Sequence, residues 1–301
     1  MPEPPQSPRR YSIGGHLFEA QKLVPGLHIT ATPIGNLGDI TLRALATLAA
    51  ADEILCEDTR VTGKLTSRYG IHTTLTPYHD HNAAKVRPGI IARLKEGAAI
   101  ALVSDAGTPL VSDPGYKLVR AAIAEGVNVE TLPGPSASLA ALALSGLPSD
   151  RFLFAGFLPE KRGERRRFLE ELKPVRATLI FFDSARRVSQ SISDVASVFG
   201  ERETAVLREL TKLHEEVLRG RAGEVAAALA ARETIKGEIT LIVAPPSEVQ
   251  AEIDSNEVDR ALTTAASELP AAKAAQQVAR QFGLPRRDLY ARLLALKATV
   301  K

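Results

Sequence analysis

The sequence predicts an α/β protein of two domains with a small helical module at its C-terminal end, and three observations carry that prediction. Apolar runs of strand length alternate with Ala/Leu-rich segments of helical length, a pattern that gives a mostly parallel sheet with helices on its faces. The length of 301 residues suits about two domains. The strand signal then stops near residue 246, where the charge pattern changes.

The strand-like runs are LHITAT from Leu27, EILC ending at Cys56, AAIALV from Ala98, VNVETL from Val127 and FLFAGF from Phe152. ATLIFF from Ala177, TAVLRE from Thr204 and EITLIVA from Glu238 continue the series. Helical segments fall at 40–51, 83–96, 114–125, 136–145, 185–199 and 223–232. GLPSD at 146–150 reads as a hinge, giving domains at 27–147 and 148–246. Residues 1–26, opening with four prolines in MPEPPQSPRR, are expected to form a disordered leader rather than a secretory signal. Residues 250–270 carry a net charge of −4 and residues 273–301 one of +6. The tail from Lys273 reads as helix, a turn at Gly283 and a basic second helix from Pro285, so 255–301 is expected to be a helix-turn-helix-like module.

Composition narrows the function classes. The longest apolar run is seven residues, against the roughly 18 a membrane span needs. One cysteine, Cys56, excludes an intramolecular disulfide framework and a multi-cysteine zinc site, and points to a reduced, cytoplasmic setting. Neither the G-x-G-x-x-G dinucleotide fingerprint nor a G-x-x-x-x-G-K-S/T phosphate loop is present. LPGPSASL lacks the second glycine of a G-x-S-x-G nucleophile elbow, so Ser136 reads as a helix cap.

Chemistry-bearing residues gather where the predicted strands end, which is where open α/β sheets bind ligands. The first turn is ATPIGNLGDIT. The second strand runs into CEDTR, placing Glu57, Asp58 and Arg60 at its carboxyl end, with Asp58 or Thr59 equally able to cap the next helix. The strand AIALV runs into Ser104, Asp105, Gly107, Thr108 and Pro109, then into a second turn, Ser112-Asp113-Pro114-Gly115. Two tight turns of small polar residues make a pocket of backbone groups and one carboxylate suited to an adenosine or ribose. Asp113-Pro114 also suits a helix start. YHDHN places His79 and His81 two apart, without an evident third metal ligand. KRGERRR supplies Lys161, Arg162, Arg165, Arg166 and Arg167, and the tail supplies Arg286 and Arg287; both read as candidate phosphate contacts, against a solvated helix start and a plain helical hairpin. Cys56, inside an apolar run, reads as a buried core residue.

In this order, ATPIGNLGDITLRAL, EDTR, YHDHN, ALVSDAGTPLVSDPGY, LPGPSA, LPSDRFLFAGFLP, RELTKLHEE and KGEITLIV resemble the ribosomal RNA small subunit methyltransferase I family, within the tetrapyrrole-methylase fold superfamily. The resemblance spans nearly all of 27–245, and the tail is similar to that family's C-terminal appendage. It implies two α/β domains with a cofactor cleft between them, a homodimer, and S-adenosylmethionine-dependent methylation of the ribose 2′-oxygen of a decoding-centre cytidine in 16S rRNA. By motif, the cofactor site would include Pro33, Asp105, Gly107, Pro109, Ser112, Ser136, Ala137, Asp183 and Leu210. TPIGNLGD and AGTP stand where tetrapyrrole methylases carry G-x-G-P-G-D-P and G-G-D-P turns, which counts against a tetrapyrrole substrate.

Glu57, Asp58, Arg60, His79 and Asp105 are the candidates for assisting proton loss from the hydroxyl, faced by Glu209, Lys212 and Glu238; the sequence does not select among them. The alternatives are a methylase of a small tetrapyrrole precursor, which needs no basic patches, and a non-enzymatic nucleic-acid-binding regulator, which leaves the SDAGTP and GPSA loops without purpose.

Overall fold

The computed structural model describes residues 9–110, 115–246, 255–282 and 284–299. The chain divides into two compact units, Met1–Pro245 and Pro246–Lys301.

The first unit begins with a hairpin of β1 (Arg10–Ile13) and β2 (His16–Glu19), paired antiparallel. The expectation of disorder through residue 26 is therefore wrong for this stretch. Alternating residues flank Gly14-Gly15, both with positive φ, a two-residue turn that matches strand twist. The hairpin is tied down: Tyr11 is buried with Leu45, Leu48 and Ile71, and the Ser12 N–H donates to the Tyr69 carbonyl at 2.7 Å.

A five-stranded sheet follows, made of β3 (Gly26–Thr30), β4 (Glu53–Cys56), β5 (Leu75–Pro77), β6 (Ala99–Leu102) and β7 (Val129–Leu132) in the order β5-β4-β6-β3-β7. Every pairing is parallel. Helices α1 (Leu42–Ala50), α2 (Thr59–Arg68), α3 (Ala83–Lys95) and α4 (Tyr116–Ala124) connect the strands. β3, β4 and β6 are buried along their whole length, which is why apolar residues dominate them, with His28, Thr30 and Glu53 buried among those residues. Cys56 is fully buried among them, and burial pushes its thiol pKa up. From β3 the chain winds outward to β4 and β5, then returns to β6 beside β3 and crosses to β7, and the strand-end loops of the adjacent β3 and β6 frame a crevice.

The second sheet comprises β8 (Phe152–Phe157), β9 (Thr178–Ser184), β10 (Glu203–Arg208), β11 (Glu216–Arg221) and β12 (Glu238–Val243) in the order β11-β10-β12-β9-β8. Only β8 and β9 pair in parallel; β9/β12, β12/β10 and β10/β11 are antiparallel. The expectation of a mostly parallel sheet thus fails here. β12 inserts between β9 and β10, and β11 returns directly against β10 as a hairpin. Helices α6 (Arg162–Leu172), α7 (Val188–Phe199) and α8 (Ala222–Ala230) cover one face, over Leu179, Phe181, Val206, Leu241 and Val243. The alternate residues Ile180, Ala205, Leu207 and Ile242 point to the other face, where α5 (Ala137–Ser145) packs through Ala141 and Leu142. By packing, α5 therefore belongs with the second sheet, before the expected hinge.

The second unit is a three-helix cluster of α9 (Ser255–Glu268), α10 (Ala271–Phe282) and α11 (Arg286–Thr299) around Val258, Leu262, Ala274, Val278, Leu289 and Leu293. Arg292 clips α11 to α9 through Asp259 at 2.6 Å. The expected turn residue Gly283 lies outside the described residues, as do Ser112 and the Asp113-Pro114 helix start. Among the described residues no helix is long and apolar enough to cross a membrane.

Candidate functional site

Within the first unit, a cavity of about 300 Å³ opens between the strand-end loops of the parallel sheet and the second sheet. On one side stand Ile34 after β3, Glu57 after β4 and residues 105–108 after β6. The N-cap of α5, Ser136, and its first residues, Ala137 and Ser138, form part of the wall. Facing them are Phe157, Phe182 and Asp183, then Leu210 and the start of β12.

The loops are bonded to each other rather than merely adjacent. Thr32 and Gly107 exchange backbone hydrogen bonds at 2.9 and 3.0 Å, joining the turns after β3 and β6. The Thr108 hydroxyl donates to the Pro135 carbonyl at 3.1 Å, joining SDAGTP to GPSA. Asp105 accepts the Asp58 N–H at 3.0 Å, joining the ends of β6 and β4. Ser136 stands at the N-cap of α5 but makes no side-chain cap bond; its hydroxyl pairs with that of Ser138 at 3.0 Å. The first-turn amides of a helix attract anionic and acceptor groups, so this end of the cavity suits a carboxylate or a polar ligand edge.

Asp183 is the most informative wall residue. It is 4% exposed; its Oδ1 accepts the Ser184 N–H at 2.8 Å and the Arg187 Nε, while Oδ2 is buried with no hydrogen-bond partner among the described residues. A buried carboxylate oxygen without a donor is costly. A ligand hydroxyl or amino group entering the cavity would satisfy it.

The far rim is a strained turn. Glu209 and Thr211 both adopt positive φ, so the chain kinks at each side of Leu210 and turns that side chain into the cavity. Asn36 in the first loop donates its N–H to the Thr211 hydroxyl at 3.0 Å. Lys212 bridges Glu209 at 3.0 Å and Glu238 at 3.1 Å. The Glu238 N–H bonded to Glu209 holds that carboxyl below its usual range despite partial burial. Burial opposes the charge on Lys212, but its two carboxylate partners outweigh it and raise the ammonium pKa.

Of the residues expected from the sequence, the structure brings Glu57, Asp105, Gly107, Ser136, Ala137, Asp183 and Leu210 to this cavity. Pro33 and Pro109 are buried in the same loops without lining it. Asp58 caps α2 by accepting the Arg60 N–H at 2.8 Å and pairs with the Arg60 side chain, which holds its pKa down at about 2. Neither lines the cavity, nor does His79, half-buried beyond the edge strand β5. Phe157, Phe182, Ser138 and Thr240 line the cavity and were not anticipated; their position at strand ends or in a helix's first turn was the available signal.

Arg165 is removed from the set of RNA contacts. It is fully buried, donates Nε and Nη2 to Asp194 at 3.0 and 2.8 Å, and donates Nη1 to the Pro159 and Glu160 carbonyls. Its charge is consumed inside the fold. Arg162 and Arg166 also approach Asp194 but keep exposed side chains, and Lys161 pairs with Glu164 in solvent. Arg167, Arg286 and Arg287 are exposed. Among the described residues no group of three or more His, Cys, Asp and Glu is placed to hold a metal.

Comparison with known proteins adds a consistent picture. Residues 26–226 match the family of Tetrapyrrole (Corrin/Porphyrin) Methylases, and residues 252–297 match the RsmI C-terminal HTH domain. The chain is 54% identical over 288 residues to the ribosomal RNA small subunit methyltransferase I of Mesorhizobium japonicum, covering 95% of this chain and 97% of the relative. It is 51% identical to the protein of the same description from Erythrobacter litoralis, covering 94% of this chain and 99% of the relative. In fold it resembles uroporphyrin-III-C-methyltransferase from Thermus thermophilus, with a TM-score of 0.54 at 22% identity over 76% of this chain and 98% of that one. It also resembles diphthine synthase, with a TM-score of 0.57 at 15% identity over 72% of this chain and 89% of that one.

Proposed function

The chain belongs to the ribosomal RNA small subunit methyltransferase I family, and from that premise we propose that it methylates the ribose 2′-oxygen of a decoding-centre cytidine in 16S rRNA, using S-adenosylmethionine. The observation that carries the site assignment is the cavity wall itself: an unsatisfied buried Asp183 oxygen, the open first turn of α5 and the Asp105 loop surround one space. These residues fit S-adenosylmethionine, which has hydroxyl and amino donors for the carboxylates and a carboxylate for backbone amides. When bound, it supplies an electrophilic methyl group whose leaving thioether needs no protonation.

The protein's part is alignment and handling of the hydroxyl proton. Asp105 and Asp183, with Ser136 and Ala137, hold the donor. Ile34, Leu210, Phe157 and Phe182 exclude water and narrow the approach. Among the catalytic candidates Glu57, Asp58, Arg60 and His79, Glu57 is the one that lines the cavity, and we assign it as the acceptor of the hydroxyl proton. Lys212, held at the rim by Glu209 and Glu238, provides positive charge for a developing alkoxide. Lys161, Arg162, Arg166, Arg167, Arg286 and Arg287 contact rRNA phosphates. Arg286 and Arg287 stand in the first turn of α11, where the helix dipole disfavours cations and an external phosphate would relieve them. The homodimer and the cytoplasmic location belong to the same reading, and light scattering tests the first of them.

The decisive experiment is calorimetry with S-adenosylmethionine followed by methyl incorporation into small ribosomal subunits and into porphyrinoid precursors. Incorporation into the ribose of 16S rRNA is expected. Incorporation into the precursor alone, or binding of RNA without cofactor binding, would overturn the proposal.

A further inference from the structure

We propose that a second cleft, lined by Arg208, Arg232, Thr234, Ile235 and Lys236, is a phosphate subsite for the RNA strand beside the nucleotide being methylated, an inference that rests on the rRNA reading above. The cleft encloses about 250 Å³, ample for one phosphate group and several waters. Three cations line it. Glu233, next in sequence to Arg232, does not.

The two guanidiniums are held in place for a ligand. Arg208, at the end of β10, faces Glu216 across the β10/β11 hairpin and donates its Nε to it at 3.0 Å and its Nη1 to the Lys236 carbonyl at 3.4 Å. Arg232 pairs with both oxygens of the same Glu216. Those pairs hold the Glu216 carboxyl down at about 2, so it remains an anion throughout the neutral range. One carboxylate thus orders two arginines yet neutralises only one of the three cations. Each guanidinium carries five N–H donors, and among the described residues fewer than half of them are used on Arg208 and on Arg232. A fork of fixed guanidinium donors with surplus positive charge is the arrangement that recognises phosphate.

The location names the phosphate. Leu210, two residues after Arg208, and Glu238, two residues after Lys236, both line the cofactor cavity. Two residues span at most about 7 Å, so the cleft opens beside the rim of the reaction site on two adjacent chain segments. A strand placing its ribose in the cavity would carry its neighbouring phosphate over the cleft.

Lys236→Gln is the primary test, because this side chain is exposed and forms no ion pair among the described residues; Arg232→Gln is the second. Each variant is checked by circular dichroism melting and by S-adenosylmethionine calorimetry, and its affinity for small subunits is measured from 50 to 300 mM salt. Folded variants with unchanged cofactor affinity should bind the subunit three- to tenfold more weakly, with the log–log salt slope reduced by about 0.7 for one lost single-strand phosphate. Unchanged affinity and slope in both variants, with the parent still methylating the subunit, would overturn the subsite and leave the rRNA reading standing. A parent that neither binds nor methylates the subunit would overturn both. Titration of a short single-stranded oligoribonucleotide and of inorganic phosphate separates the possible sources. A Lys236→Gln effect on the oligonucleotide supports a strand subsite, and an effect confined to inorganic phosphate overturns it.

Discussion

The Asp105 carboxylate accepts the backbone N–H of Asp58 at 3.0 Å, so the residue expected to contact the cofactor also fixes the turn that carries Glu57. Asp105→Ala should weaken S-adenosylmethionine binding by about 1–3 kcal/mol through loss of a charge-assisted bond. It should also lower kcat by freeing the 57–58 turn. Calorimetry and single-turnover methyl transfer check the two effects separately; unchanged affinity in a folded variant would exclude this loop as the cofactor site.

Arg165 and Arg167, two residues apart, should behave oppositely. Arg165→Ala takes both donors from the buried Asp194 Oδ2, leaving Arg162 on Oδ1 alone, and should cost about 3 kcal/mol of stability. Arg167→Ala should leave the melting temperature nearly unchanged while reducing the salt dependence of subunit binding. Thermal melts beside salt-dependent binding isotherms decide the matter, and equal melting temperatures for the two variants would refute the distinction.

Gly237 has φ +98°, and a Cβ there would lie 2.4 Å from Glu209 Cγ. Gly237→Ala should therefore cost about 1–3 kcal/mol. Because Glu209 flanks the kink that presents Leu210, it should weaken cofactor binding too. Melting and calorimetry on the same sample test both, and a variant matching the parent in each would show that the rim accommodates the methyl group freely.

Glu216 is an acid whose folded pKa, about 2, lies below its unfolded value of about 4.3. The stability its ion pairs contribute is fully present above the unfolded pKa and is lost as pH falls through the folded one. Glu216→Gln should therefore be less stable than the parent by about 1–2 kcal/mol at neutral pH, with the gap closing between about pH 4.5 and 2. Urea midpoints across that range provide the measurement; a gap constant with pH would mean that packing rather than charge is lost.

The alternation of strands and helices, the buried core strands β3, β4 and β6, and the strand-end loops at Glu57, Asp105 and Ser136 were legible in the sequence, because a residue pattern on one element reports that element's own burial. β5 and β11 were missed: each lies at a sheet edge, one only three residues long and the other carrying three charges in EVLRGR, so neither shows an apolar run. The β1/β2 hairpin was missed although Gly14-Gly15 marks its turn, because the neighbouring prolines dominated the composition.

By itself, then, the sequence determined the fold class, the family and the loops that surround the cavity, since these depend on local periodicity and on motifs contiguous in the chain. The tertiary structure alone decided that the second sheet is largely antiparallel, that α5 packs on it, and that Arg165 is buried while its neighbours are not. Each of these turns on a partner far along the chain: β12 between β9 and β10, Ile180 beneath Leu142, Asp194 beside Arg165. A run of arginines has the same local appearance whether its charges meet water or a buried carboxylate. Only packing brings the carboxylate there.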